Sequence, residues 1–271
     1  MQKLVSVIIP FYNSCLTLER SIQSILSQDY TRLEVILIDD CSTDCSTSIA
    51  LKYSSRYRNI RFYQNKTNLG VSCSRNIGAK LSRGELISFL DSDDYYISNS
   101  KISNSVSLIE KYFSVSKPSQ IVCASRSVLY NPNTNKFTRL FPLFSCLPFN
   151  FFVYTTLMPR DLILSRTHFF SIGGFDESTS LYEDWLFRLR LAQSSRFVLL
   201  PTYDSVYTYG DSGLSKSTNT LNRLCLEFNI LYRQLIATYG FVGFLIYPIY
   251  FICLLLYHFY VFLLVRRISY Q

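Results

Sequence analysis

Through its first hundred residues the chain alternates short apolar runs with helix-patterned stretches, which limits it to βαβ units on a parallel sheet. Leu4–Ile9, Leu33–Ile38, Ile60–Tyr63 and Leu86–Leu90 have the length and composition of buried strands, the first stopped by Pro10. Between them, Leu16, Leu18, Ile22, Ile25 and Leu26 form one apolar helix face, which Asn13 or Ser14 can cap. Helices are also expected over Ser46–Tyr57 and Val71–Leu81. In such sheets ligands bind beyond the carboxyl ends of the strands, so the residues that follow each apolar run matter most.

Further on, the pattern predicts a helix over Ile97–Phe113, a strand over Gln120–Tyr130 and a hairpin tip at Asn131–Asn135. Leu140–Met158 is rich in Phe and Pro and reads as partly buried and irregular. Gly173-Gly174-Phe175-Asp176 is a turn, and Trp185–Ala192 reads as a helix. At 271 residues there is room for one large α/β domain and an appendage. The expected division is a domain over 1–220, with halves 1–115 and 116–220, and a tail over 221–271.

That tail differs in kind. From Leu235 to Val265 there is no Lys, Arg, Asp or Glu, and Arg266-Arg267 closes the run. As a helix, Gly240–Val265 would span ~39 Å, enough for a hydrocarbon core of about 30 Å. Apolar residues occur all round rather than on one stripe, which argues against a buried core helix. Membrane contact through residues 235–267 is expected, as a tilted span, a hairpin broken at Pro248 or an interfacial helix. A single span would place Arg266-Arg267 on the far side from a cytosolic domain, against the positive-inside tendency. The net charge of +8 also suits an anionic surface. Its Lys and Arg are scattered, with no nucleic-acid-binding motif, so no nucleic-acid partner is expected. The eight cysteines lack a C-x-x-C pair and read as small thiols in a reducing cytosol. Val5–Ile9 is too short for a signal-peptide core, so the catalytic part is expected in the cytosol.

The chemistry lies in the loops. Asp91-Ser92-Asp93-Asp94 follows the fourth apolar run, and clustered carboxylates there suit a divalent ion bridging phosphate oxygens. Four other clusters accompany it: Pro10-Phe11-Tyr12-Asn13, Asp39-Asp40-Cys41-Ser42-Thr43-Asp44, Asn68-Leu69-Gly70 with Arg75-Asn76, and Gly173–Glu177 followed by Glu183-Asp184-Trp185. Each alone has an ordinary structural explanation as a turn, a cap or a surface charge. A dinucleotide-dependent oxidoreductase would need G-x-G-x-x-G where Pro10-Phe11-Tyr12-Asn13 stands.

In this order and spacing the clusters closely resemble family 2 glycosyltransferases of the GT-A fold, over about residues 4 to 215. The resemblance implies a mostly parallel α/β sheet flanked by helices. It also implies an inverting transferase using a nucleotide-diphosphate sugar, a UDP-sugar foremost, and a divalent metal, Mn2+ or Mg2+. By that likeness Pro10 and Tyr12 line the nucleotide pocket, Asp40 or its neighbour Asp39 contacts the nucleobase, and Arg75 lies near the nucleotide. Asp91 meets the ribose or sugar, and Asp93 binds the metal beside Asp91 and Asp94. Asp184, next to Glu183, is the catalytic base. Apart from the likeness, Trp185 and the Phe/Tyr-rich stretch beyond Leu140 could stack on acceptor sugar rings, with core packing as the default reading. Relatives of this kind, together with the apolar tail, imply a lipid-linked saccharide acceptor at the cytoplasmic face of the inner membrane, in O-antigen or capsule assembly.

Two departures stand out. Many members carry an Arg and a His shortly after the base, whereas Tyr207-Thr208-Tyr209-Gly210-Asp211-Ser212 has neither. This keeps a non-catalytic, membrane-tethered nucleotide-sugar binder as the rival reading. Gln193-Ser194-Ser195-Arg196-Phe197 mimics a motif of processive synthases but follows Asp184 too closely to serve as one.

Overall fold

The computed structural model describes residues 2–112, 120–139, 161–179 and 183–208. The whole Phe/Pro-rich stretch Leu140–Met158 and everything from 209 onward, including the expected membrane segment, lie outside the described residues. Among the described residues no helix is long and apolar enough to cross a membrane.

The first half folds as its alternation dictates. Strands β1 (Val5–Phe11), β2 (Leu33–Asp39), β3 (Ile60–Gln64) and β4 (Leu86–Phe89) lie parallel in the order β3-β2-β1-β4. Helices α1 (Leu18–Leu26), α2 (Ser46–Arg56) and α3 (Val71–Leu81) make the crossovers. Strand β1 runs through Pro10 rather than stopping there: Pro10 pairs with Ile38 and Phe11 with Asp39. On its other side the pairing with β4 ends at Ile8↔Phe89, so Pro10 lies where the ladder is one-sided and its missing N–H is tolerated.

The second half makes the sheet mixed, not mostly parallel. It comprises β5 (Tyr95–Tyr96), α4 (Lys101–Tyr112), β6 (Ile121–Asn131), β7 (Lys136–Arg139) and β8 (Leu162–Ser165). Helix α5 (Arg166–Ser171), helix α6 (Glu183–Ser194) and strand β9 (Arg196–Thr208) complete it. Strand β8 runs antiparallel to both β4 and β6, with Ile87↔Leu164 and Cys123↔Ile163, and so welds the halves into one sheet. Strands β6 and β9 are parallel, β5 pairs antiparallel with β9, and the β6–β7 hairpin turns at the expected Asn-rich tip. Helix α4 starts four residues later than its apolar pattern suggests. The Ile97 N–H donates to the Asp204 carbonyl, continuing the β5–β9 pairing past Tyr96.

Period-2 alternation in β1 and β2 feeds two cores. Val5, Val7, Ile9, Val35 and Leu37 face α1, α2 and α4, packing with Leu18, Ile22, Tyr53 and Ile102. Ile8, Ile36 and Ile38 face the opposite layer, with Ala79, Phe169, Phe187 and Leu191. Each fully buried aliphatic side chain contributes about 1.5–3 kcal/mol, and the two layers fix where the strand ends and loops project. Cys15 and Cys45 meet, Cα–Cα 5.3 Å apart, because the loops after adjacent β1 and β2 emerge at the same sheet edge. Cys123 does behave as a small core residue, its thiol pushed up to about 11 by burial.

Candidate active site

The loops leaving β1 and β2 are laced together at the carboxyl edge of the sheet. The Asn13 N–H donates to Ser42 Oγ (3.0 Å), and Asn13 Oδ1 accepts the Thr43 N–H (2.8 Å). The Ser14 N–H donates to Ser46 Oγ (2.7 Å) and the Cys15 N–H to Asp44 Oδ2 (3.0 Å). Asn13 and Cys41 take positive φ, 50° and 69°, to make these turns. Pro10 is buried in β1, while Tyr12 is 48% exposed, its ring available above the edge.

The two aspartates ending β2 divide their work. Asp39 is wholly enclosed and accepts bonds from the Ser42 N–H, Thr47 Oγ1 and Gln64 Nε2. It braces the loop. Asp40 Oδ1 accepts from Asn65 Nδ2 and the Leu69 N–H, and its Oδ2 from the Gly70 N–H (2.8 Å). Gly70 has φ 86°, a conformation that favours glycine, and it turns the chain into α3. A carboxylate has about four acceptor positions, so Asp40 retains one on Oδ2.

The loop after β4 is gripped from three sides. Ser92 Oγ lies 2.8 Å from Ser14 Oγ, while Ser21 Oγ donates to the carbonyls of Ser92 (2.8 Å) and Asp94 (2.6 Å). The Asp93 carbonyl accepts Arg20 Nη2 (2.9 Å) and Thr208 Oγ1 (2.6 Å), and Asp93 itself is exposed. Asp94 is buried, and its Oδ1 accepts the Thr208 N–H (2.8 Å). Arg20 also stacks 4.3 Å over the Tyr95 ring. Arg20 and Thr208 carry no motif that would mark them, so sequence patterns pass over both.

The remaining candidates meet on α3. Arg75 Nη2 lies 2.6 Å from Asp91 Oδ1, and its Nη1 lies 3.0 Å from Glu183 Oε1. Burial works against the guanidinium charge, but the Asp91 and Glu183 carboxylates outweigh it and raise the Arg75 pKa. Next to it, Asn76 accepts the Phe175 N–H (2.9 Å) and donates to the Phe175 carbonyl and Glu177 Oε1. Gly174 at φ 64° permits this approach, since a Cβ there would sit 2.7 Å from Asn76 Oδ1. Asp184, on the first turn of α6, pairs with Arg188 at 3.0 Å, an i,i+4 contact legible in the sequence. The Trp185 side chain and the stretch Tyr209–Ser212 lie outside the described residues.

One rim thus gathers the loops bearing Tyr12, Asp40, Asp91, Asp93 and, through Arg75, the α6 terminus with Glu183 and Asp184. Among the described residues no three His, Cys, Asp or Glu side chains converge to hold an ion unaided. Exposed Asp93, with Asp91 two residues before it, fits a hard divalent ion bound by one or two carboxylates and completed by phosphate oxygens.

A family model described as "Glycosyl transferase family 2" matches residues 6–175, more than half of the chain. The chain belongs to glycosyltransferase family 2. Similar curated proteins include an uncharacterized Rickettsia typhi glycosyltransferase, 32% identical over 205 residues, covering 70% of this chain and 59% of the relative. Another is the Escherichia coli UDP-Glc:alpha-D-GlcNAc-diphosphoundecaprenol beta-1,3-glucosyltransferase WfaP, 39% identical over 108 residues, covering 40% of this chain and 42% of the relative. An uncharacterized Haemophilus influenzae glycosyltransferase is 41% identical over 99 residues, covering 36% of this chain and 39% of its own. The chain therefore matches between 39% and 59% of these relatives' lengths.

Solved structures agree with the sheet. Residues 1–349 of S. aureus TarS in complex with UDP-GlcNAc superpose with TM-score 0.67 at 23% identity, covering 89% of this chain and 69% of that one. A Pyrobaculum calidifontis mannosyltransferase, PcManGT, in complex with GDP-Man and Mn2+, gives TM-score 0.64 at 17% identity, covering 88% and 64%. These likenesses show a mixed α/β fold like that of GT-A glycosyltransferases.

Proposed function

We propose that this family 2 enzyme transfers a sugar from a nucleotide-diphosphate sugar, a UDP-sugar foremost, to a hydroxyl of a lipid-linked saccharide, inverting the anomeric centre. The observation that carries the reading is the placement of exposed Asp93 at the end of β4 and Asp184 at the start of α6, on two elements joined through Arg75. Chemistry of this kind needs one acidic group on the leaving-group side and another on the nucleophile side. The names of WfaP and of the TarS complex support a UDP-sugar and a lipid diphosphate acceptor.

In this reading the Tyr12 ring and the remaining acceptor position of Asp40 receive the nucleobase, against an edge that enclosed Asp39 braces. Pro10 shapes the floor beneath. Asp91 holds a sugar or ribose hydroxyl. Asp93, with Asp91 beside it, would hold a divalent ion, Mn2+ or Mg2+, whose charge offsets that developing on the departing diphosphate. Asp94 serves the loop through Thr208 instead. On the opposite side Asp184 takes the acceptor hydroxyl's proton as the new bond forms, which inverts the centre in one displacement. Arg188 holds the Asp184 carboxylate in place.

The uncharged run Leu235–Val265 and the basic net charge support work at a membrane surface. Its proposed place is the cytoplasmic face of the inner membrane, in surface-polysaccharide assembly. Thermal-shift screening of the full chain against UDP-, GDP- and dTDP-sugars, with and without Mn2+, tests the donor. One donor class should raise Tm, and more so with Mn2+. No stabilisation by any of them would remove the reading, and stabilisation without turnover would indicate a binder instead.

A further inference from the structure

Arg75 is 7% exposed, yet both terminal nitrogens of its guanidinium are engaged by carboxylates from distant parts of the chain. Asp91 lies 16 residues away, at the end of β4, and Glu183 lies 108 away, at the start of α6. Its Cζ also sits 5.0 Å from the Phe175 ring centre, and Asn76 beside it grips the backbone of Phe175. Helix α3 therefore holds the acceptor-side segment at two successive residues. A fork whose arms both end on protein carboxylates is poorly disposed to bind donor phosphate, and it is well disposed to fix two elements against each other.

Glu183 is adjacent to Asp184 on the first helical turn. Anchoring its carboxylate sets the rotation and depth of the α6 terminus, and with it the approach of Asp184 to the sugar. Replacing either end of the bridge would leave a buried charge unpaired and free that terminus to move. Displacements of about 1 Å can cost ~100-fold in rate without touching the reacting atoms.

We propose that Arg75 is a positioning residue: by clamping Glu183 to Asp91 it holds Asp184 in line with the donor-side rim. This rests on the functional reading above and assigns Glu183 to the clamp, not to proton transfer. It predicts a signature that donor binding by Arg75 would not give. Glu183→Gln and Arg75→Met should each lower kcat by roughly 10- to 100-fold, with donor KM and the calorimetric Kd for UDP in Mn2+ changed less than about threefold. The double variant should be little worse than Arg75→Met alone, because both changes break one bridge. Arg75→Lys, able to pair with one carboxylate at a time, should recover only part of kcat.

Wild-type kcat in Glu183→Gln would overturn the proposal. So would a tenfold or larger rise in UDP Kd in Arg75→Met that Glu183→Gln does not share, which would make Arg75 a donor ligand. Should Arg75→Met fail to fold, Glu183→Gln and Arg75→Lys decide by the same split between kcat and KM. A wild-type chain that turns over no nucleotide sugar would sink the functional reading itself, a result distinct from an active enzyme indifferent to Glu183.

Discussion

Neighbouring aspartates in the Asp91–Asp94 run have different fates, and their partners decide which. Asp94 is buried and receives the Thr208 N–H, so Asp94→Ala should cost about 1–3 kcal/mol of stability, read as a lower urea midpoint. Asp93→Ala, at an exposed side chain, should leave that midpoint within about 0.5 kcal/mol. Equal losses in the two variants would contradict this division. Sequence pattern places all of these acidic residues at the rim, because they follow apolar runs at strand ends. It cannot rank them, because the ranking comes from partners far along the chain. Arg20 and Thr208, 188 residues apart, meet over the Asp93 carbonyl, and no local pattern encodes that meeting.

At the scale of elements, β1 to β4 and their crossovers are legible because each strand is a short, mostly apolar run set between helix-patterned stretches. Strand β8 was not. Four residues, Leu162-Ile163-Leu164-Ser165, are too few to separate strand from helix by periodicity, and only pairing with β4 and β6 settles it. The same short strand turns a parallel sheet into a mixed one. Contacts between elements make two predictions. A Cβ on Gly78 of α3 would sit 2.3 Å from Ile8 Cγ2, so Gly78→Ala should push the helix off the sheet and cost about 1–3 kcal/mol in a denaturant melt. Cys15 and Cys45 stand within disulfide reach across a span of 30 residues, so if they bond, Cys15→Ser should lose up to about 3–4 kcal/mol under non-reducing conditions. With Cys45 exposed, reductant should produce the same loss in the wild type, and an unchanged melt would argue that the bond does not form.

For the molecule as a whole, the parallel strands β1–β4 end at one edge of the sheet, so the loops bearing Tyr12, Asp40 and Asp93 share a rim, and Arg75 ties the α6 terminus to it. The apolar tail adds a second property. A run from Leu235 to Val265 without charge should carry the full chain to the top of a density gradient with anionic vesicles, and high salt should not strip it off. Release by salt would mean that only the basic charge holds it there. The account as a whole depends on acidic groups at that edge driving sugar transfer. The most direct test is nucleotide release from the preferred donor in the presence of acceptor and Mn2+, comparing wild type with Asp93→Ala and Asp184→Asn. Both variants should lose about 100-fold or more in turnover, Asp93→Ala with the wild-type melting curve and Asp184→Asn with a lower one, since it weakens the pair to buried Arg188. Turnover undiminished in either variant would contradict the account.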